Sequence, residues 1–84
     1  MGDEERTREL YEKALRKPAS LKFREASTLA EGVGFWLDRT SGSHHIFIHK
    51  STRVLLNLQN VKGQAKPYQV RQLLVLIKEH NLLP

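Results

Sequence analysis

The sequence predicts an α+β domain, a three-stranded antiparallel sheet with helices on one face. Two segments before Gly34 carry apolar residues at helical spacing, and three short runs after it alternate their side chains as strands do. Helical spacing returns after Pro67 and continues almost to the end of the chain. A chain of 84 residues buries one modest core. Residues 1–84 are therefore expected to form a single domain.

The first two helices follow from apolar stripes among charged residues. The first stripe, in a helix for which Asp3 is a suitable N-cap, contains Leu10, Tyr11, Ala14 and Leu15. The second contains Phe23, Ala26, Leu29, Ala30 and Val33, and Gly34 suits the left-handed position after a helix. Residues 1–17 are interpreted as an N-terminal helical extension. Because an isolated helix of this length is marginal in water, it is expected to dock on the rest of the domain.

Three runs, "FWLDR", "HHIFIH" and "RVLLNL", are predicted to be strands joined by the turns "TSGS" and "KSTR". In the second run His45, Phe47 and His49 point one way, and Ile46 and Ile48 point the other. The aliphatic sets of the second and third runs are expected to face the helices. These sets are Ile46 and Ile48, and Val54, Leu56 and Leu58.

The rest of the chain is predicted to be a loop followed by one helix. The polar segment "QNVKGQA" leads to Pro67, which suits a first helical turn. The spacing i, i+3, i+4, i+7 is then met by Val70, Leu73, Leu74 and Ile77, and Asn81 can end the helix.

Positive charge is concentrated in the second half of the chain. Residues 1–34 contain seven acidic and seven basic side chains. In residues 35–84 the two acids, Asp38 and Glu79, stand against seven Lys and Arg residues, which gives the formal net charge of +5. An asymmetry of this kind is typical of a phosphate-backbone binder, although a solvated surface that keeps a small protein soluble has the same composition.

The composition also excludes several classes of protein. The chain has no cysteine, which rules out a disulfide framework and a thiolate metal site and fits a reducing compartment. Its N-terminus, "MGDEERTREL", lacks the apolar run of a signal peptide or a membrane span. The protein is therefore expected to be cytoplasmic, with no membrane partner.

Several stretches together resemble the HicA-type toxin ribonucleases of bacterial toxin–antitoxin pairs. The resemblance covers residues 21–83 and rests on Phe35 after Gly34, on Arg39, on Gly42-Ser43-His44-His45-Ile46-Phe47 and on "KPYQVRQLL". It implies a fold similar to the double-stranded RNA-binding domain and cleavage of messenger RNA that arrests translation. It further implies a cognate HicB-type antitoxin that covers the active face.

The resemblance places the catalytic histidine of the family's Gly-Ser-His turn on His44. Some relatives carry theirs one place later, which corresponds to His45. The sequence departs from the family where many members have Pro-x-His after the third strand, because it has Leu58-Gln59-Asn60 there. A role for that second histidine is not carried over.

Cleavage of RNA without a metal needs a base, a cation beside the phosphorane and an acid for the leaving oxygen. Histidine suits both proton transfers, since its unperturbed pKa is about 6.5. We take His44 as base or acid and His45 as the second proton-transfer group, with Arg39, Lys50 or Arg53 as phosphate clamps. Adjacent strand residues face opposite ways, so both histidines reach one phosphate only if a turn or bulge breaks the alternation.

A second set of cations precedes and opens the last helix. Lys62, Lys66 and Arg71 form a phosphate site there if the fold is like the double-stranded RNA-binding domain, and are solvated surface residues otherwise. Trp36 and Phe47 are open to two interpretations, stacking on unpaired bases or packing.

No metal and no small-molecule cofactor are expected. His45 and His49 share a strand face but lie about 13 Å apart at about 3.3 Å per residue, too far to share an ion. His49 and His80 are interpreted as incidental. Two alternatives to a nuclease stay open: a non-catalytic RNA-binding module of the same fold, and a degenerate toxin kept as a protein-interaction partner.

Overall fold

The computed structural model describes residues 2–84 and contains three α-helices and one four-stranded antiparallel sheet of order β1-β2-β3-β4. The elements are α1 (Gly2–Arg16), a 3-10 turn (Pro18–Ser20), α2 (Phe23–Gly32), β1 (Phe35–Ser41), β2 (His44–His49), β3 (Leu55–Val61), β4 (Gln64–Ala65) and α3 (Pro67–Glu79). The α+β class is confirmed. The prediction of three strands is wrong.

The additional strand, β4, follows β3 through a two-residue turn. Val61 pairs with Gln64. Between them Lys62 and Gly63 have φ values of +54° and +85°, as a type I′ hairpin turn requires. The sequence predicted a loop here because β4 has only two residues, too few to show the alternation of a strand.

Helices α2 and α3 pack on one face of the sheet and leave the other, here called the open face, uncovered. Leu56 and Leu58 of β3 are buried under the helices, as predicted. In β2 the prediction is reversed, since Phe47 is buried among the helices and Ile46 and Ile48 are half-buried on the open face. Phe47 is buried on the inward face and His49 finds backbone hydrogen-bond partners there, while Ile46 and Ile48 stay half-buried on the open face, so this orientation exposes none of the large apolar side chains of β2 fully.

The strand boundaries also differ from those predicted. β1 continues past Arg39 to Ser41, and β3 begins at Leu55 rather than at Arg53. Arg53 has a φ of +66°, in the left-handed region that a regular strand excludes, and so belongs to the turn before β3.

Helix α1 packs on α2 and α3 through Leu10 and Ala14, which are fully buried. The expected docking of this helix on the domain is confirmed. Leu15, predicted to be in the buried stripe, is exposed, and Thr7 is buried in its place. Asp3 lies inside the helix rather than at its N-cap, and its carbonyl oxygen accepts a hydrogen bond from Thr7 Oγ1 at 2.8 Å.

Glu25 ties α1 to the start of α2. Its carboxylate accepts hydrogen bonds from the Lys22 backbone N–H at 3.0 Å and from Lys13 Nζ at 2.9 and 3.0 Å, and Arg6 lies 4.0 Å away. The pKa of Glu25 is lowered from its ordinary value, chiefly by the hydrogen bond from the Lys22 N–H. Burial acts in the opposite direction, and the hydrogen bond from Lys13 and the positive charges of Lys13 and Arg6 lower the pKa further.

None of the helices within residues 2–84 is long and apolar enough to cross a membrane.

Glu25→Gln is expected to lower the free energy of unfolding at pH 7. Because the folded-state pKa of Glu25 is depressed, its stabilisation is complete above the ordinary value of 4.5 and is lost as the pH falls through the folded-state value. Urea unfolding at pH 7 and pH 3 checks this, with exposed Glu12→Gln as the control. A difference between wild type and Glu25→Gln that does not shrink at pH 3 would contradict it.

Gly32→Ala is expected to destabilise the protein by about 1–3 kcal/mol, because the new Cβ would lie 2.0 Å from Thr7 Oγ1 on α1. Helix propensity alone favours alanine by up to about 1 kcal/mol, so a loss reports the contact between helices. Urea unfolding measures the change, with neighbouring Glu31→Ala as the control. The double variant with Thr7→Ala should regain part of the loss. A Gly32→Ala protein as stable as wild type would argue against this close approach.

Candidate active site

A tight turn between β1 and β2 presents the two adjacent histidines. Ser41 pairs with His44, which leaves Gly42 and Ser43 as a two-residue loop. Gly42 has a φ of +59° and Ser43 has no positive φ, the pattern of a type II′ turn. This turn explains the glycine and places His44 at the very start of β2.

His44 is exposed on the open face. Its Nδ1 lies 3.2 Å from Oδ1 of Asn57 on β3. An amide oxygen only accepts hydrogen bonds, so Nδ1 of the neutral ring carries the proton and Nε2 keeps its lone pair. Asn57 thus holds the tautomer in which Nε2 can accept a proton.

His45 lies on the helix side of the sheet and is half-buried. Its ring packs on Phe23 at the start of α2, with ring centroids 4.5 Å apart, and its Nδ1 donates to the Ser43 carbonyl oxygen at 3.0 Å. β2 pairs regularly with β3 at both histidines. The structure therefore keeps His44 and His45 on opposite faces.

The break in regular pairing lies in β1 instead. Leu37 is opposite Phe47 and Arg39 is opposite Ile46, so Asp38 is an extra residue, a β-bulge. The bulge turns Arg39 to the open face. There it is a diagonal neighbour of His44, a relation in which Cα atoms lie about 7–8 Å apart. The Arg39 guanidinium is exposed and pairs with Asp38 Oδ2 at 2.7 Å.

The predicted phosphate clamps divide between the two ends of the sheet. Lys50 and Arg53 flank the turn after β2, about 20 Å from His44 at about 3.3 Å per strand residue. Lys62 lies in the turn after β3, at the end that carries His44, and Lys66 is the N-cap of α3. Arg71 is exposed on α3.

His49 is a structural residue, a role that sequence reasoning missed. It is buried, its Nε2 donates to the Val33 carbonyl oxygen at 2.8 Å, and its Nδ1 accepts from the backbone N–H groups of Ser51 and Thr52. Gly34 packs so closely that a Cβ there would lie 2.6 Å from Nε2. Gly34 is the sequence feature that this close approach requires, but the requirement can be recognised only once the fold is known.

The two aromatic candidates are also separated. Phe47 is buried in the core, whereas Trp36 is 58% exposed. Trp36 lies on the open face opposite Ile48. Only Trp36 is free to stack on a base.

Within the described residues 2–84, no three His, Asp or Glu side chains come together as a metal site would need.

Comparison with protein families places the chain among the toxins of bacterial toxin–antitoxin pairs. The family model described as HicA toxin of bacterial toxin-antitoxin matches residues 23–82, from the start of α2 to just beyond α3. The chain therefore belongs to the HicA toxin family, and α1 lies outside the matched region. Searches of the curated proteins and of the solved structures gave no match.

His49→Leu is expected to lower the free energy of unfolding by about 1–3 kcal/mol, because the backbone N–H groups of Ser51 and Thr52 lose their acceptor. Urea unfolding measures the change. Exposed His80→Ala is the matched control and should stay within about 0.5 kcal/mol of wild type. Equal stability of His49→Leu and His80→Ala would show that the His49 hydrogen bonds contribute nothing to the free energy of unfolding.

Proposed function

We propose that this toxin is a metal-independent endoribonuclease that cleaves messenger RNA, arrests translation in the cytoplasm and is inhibited by a HicB-type antitoxin. Membership of the HicA toxin family supports the toxin role. One observation carries the chemistry: exposed His44, with Nδ1 held by Asn57 and Nε2 open, shares a sheet face with Arg39.

The proposed reaction begins at the RNA 2′-hydroxyl. His44 Nε2 takes its proton as the oxygen attacks the adjacent phosphorus, and the bond to the 5′-oxygen breaks. Arg39 stabilises the negative charge that develops on the phosphate oxygens. The leaving 5′-oxygen takes up a proton from a second proton-transfer group, a histidine that enters the step in its imidazolium form. No metal or cofactor enters this scheme.

We propose His45 as the second proton-transfer group. Regular pairing keeps it on the helix side of the sheet, so it joins His44 only at a phosphate bound beyond the start of β2, against the Gly42-Ser43 turn. The Nδ1 proton of His45 is committed to the Ser43 carbonyl oxygen, which leaves Nε2 for proton transfer.

The remaining cations are proposed to hold the RNA backbone. Lys62 and Lys66 are at or near the end of the sheet that carries His44, so we assign them to phosphates next to the cleaved one. Lys50 and Arg53, at the far end, are assigned to phosphates further along the strand, and Arg71 to the α3 side.

One observation favours the alternative of a non-catalytic RNA-binding module. Gln59 stands opposite His44 in the sheet, in the segment where many family members carry their second histidine. Its side-chain oxygen accepts a hydrogen bond from Gln69 Nε2 at 2.7 Å. An amide engaged in this way supplies no proton-transfer group.

Cleavage of a mixed-sequence single-stranded RNA in excess EDTA tests the proposal. His44→Ala is expected to lose most activity, at least the 10²-fold that a general base contributes, while it keeps its fold and its affinity for RNA. His45→Ala is compared in parallel, and His80→Ala is the control.

The outcomes separate the two functions. Cleavage that survives EDTA and disappears in folded, RNA-binding His44→Ala supports the nuclease with His44 as the principal group. Loss only in His45→Ala moves that role to His45. RNA binding without cleavage by wild type supports the binding module and overturns the nuclease.

A further inference from the structure

We propose that the open face of the sheet is a platform for single-stranded RNA, on which Trp36 stacks an unpaired base a few nucleotides from the phosphate at His44. The inference rests on the proposed function only for the position of the cleaved phosphate. It names the substrate class, single-stranded rather than duplex RNA, and a residue that binds it.

The β-bulge at Asp38 makes the platform possible. Trp36 and Arg39 are three residues apart, so a regular strand would point them to opposite faces. Because Asp38 is an extra residue, Trp36 lies opposite Ile48 and Arg39 opposite Ile46, both on the open face. An aromatic ring and a cation therefore follow one another toward His44 along one strand.

The surroundings of Trp36 favour a flat, uncharged ligand group. Trp36 is 58% exposed and Leu55 57% exposed, Ile48 lies between them on β2, and Ile46 is the next residue of β2 on the same face. Base stacking on such a surface is tolerant of sequence because every base has a π-face. Duplex RNA keeps its bases stacked inside the helix and offers them to no such platform.

Charge and distance agree with a nucleic-acid strand as the ligand. Only two of the side chains in residues 35–84 are acidic, and Asp38 already pairs with Arg39. Trp36 stands about 13 Å from His44, four strand residues at about 3.3 Å each. A single strand that runs along the face spans this distance in a few nucleotides, with Arg39 beside the phosphates between them.

Intrinsic fluorescence tests the platform directly, because Trp36 is the only tryptophan of the chain. The probe is an eight-nucleotide 2′-O-methyl RNA of mixed sequence, which lacks the attacking hydroxyl and cannot be cleaved by the proposed reaction. It is compared with the same sequence as a duplex. The single strand is expected to quench Trp36 and to bind more tightly than the duplex.

Variants identify the surface that binds. Trp36→Ala should weaken binding of a dye-labelled single strand roughly 5- to 150-fold without a change in salt dependence, and Trp36→Phe should weaken it less. Arg39→Gln should reduce the slope of log affinity against log salt by about 0.7. Tyr68→Ala is the matched control, since Tyr68 is 57% exposed but lies at the start of α3, off the open face.

Each remaining outcome overturns the platform: preference for the duplex, unquenched Trp36, or a loss of affinity in Tyr68→Ala but not in Trp36→Ala. Failure of the nuclease is separable from failure of the platform. Quenching by the single strand with no cleavage of ordinary RNA refutes the nuclease and keeps the platform. Cleavage with unquenched, dispensable Trp36 refutes the platform and keeps the nuclease.

Discussion

Burial of Phe47 is the constraint on which the site depends. Strand side chains alternate with a period of two, so fixing one residue of β2 fixes all of them. With Phe47 under the helices, His45 and His49 face inward, and His44 faces out. His49 reinforces this choice, because its ring finds a carbonyl oxygen and two N–H groups inside. The exposure of His44 that the proposed reaction requires therefore depends on the burial of Phe47, three residues further along the strand.

The bulge in β1 adds a second constraint, on which side chains of β1 share the open face. Alternation would separate Trp36 from Arg39, and one additional residue, Asp38, reverses the phase of the strand between them. The two faces of the sheet therefore carry different side chains. The open face combines an imidazole, a guanidinium and an indole in reach of solvent, whereas on the helix side His45 packs on Phe23.

The sequence was sufficient for the helices and for the existence of three strands, because their apolar periods are long enough to recognise. It did not show which face of β2 would be buried under the helices. The aliphatic Ile46 and Ile48 resembled the inward set, and nothing local shows that His49 would find backbone partners contributed by Val33 and by the following turn. The candidate His44 was recognisable through the family, whereas its partner Asn57 and the alignment of Trp36 with Arg39 depend on register, which no single strand encodes.

β1 is the terminal strand of the sheet, with pairing described on one side only. An unpaired edge invites a strand from another chain, and a bulge is one of the devices by which proteins discourage that. Asp38 interrupts the row of backbone donors and acceptors after Leu37. An incoming strand would therefore meet two short rows of hydrogen-bonding groups that are out of register with each other, rather than one long row. The residue that aligns the open face therefore also discourages edge-to-edge pairing of β1 with a strand from another copy of the chain.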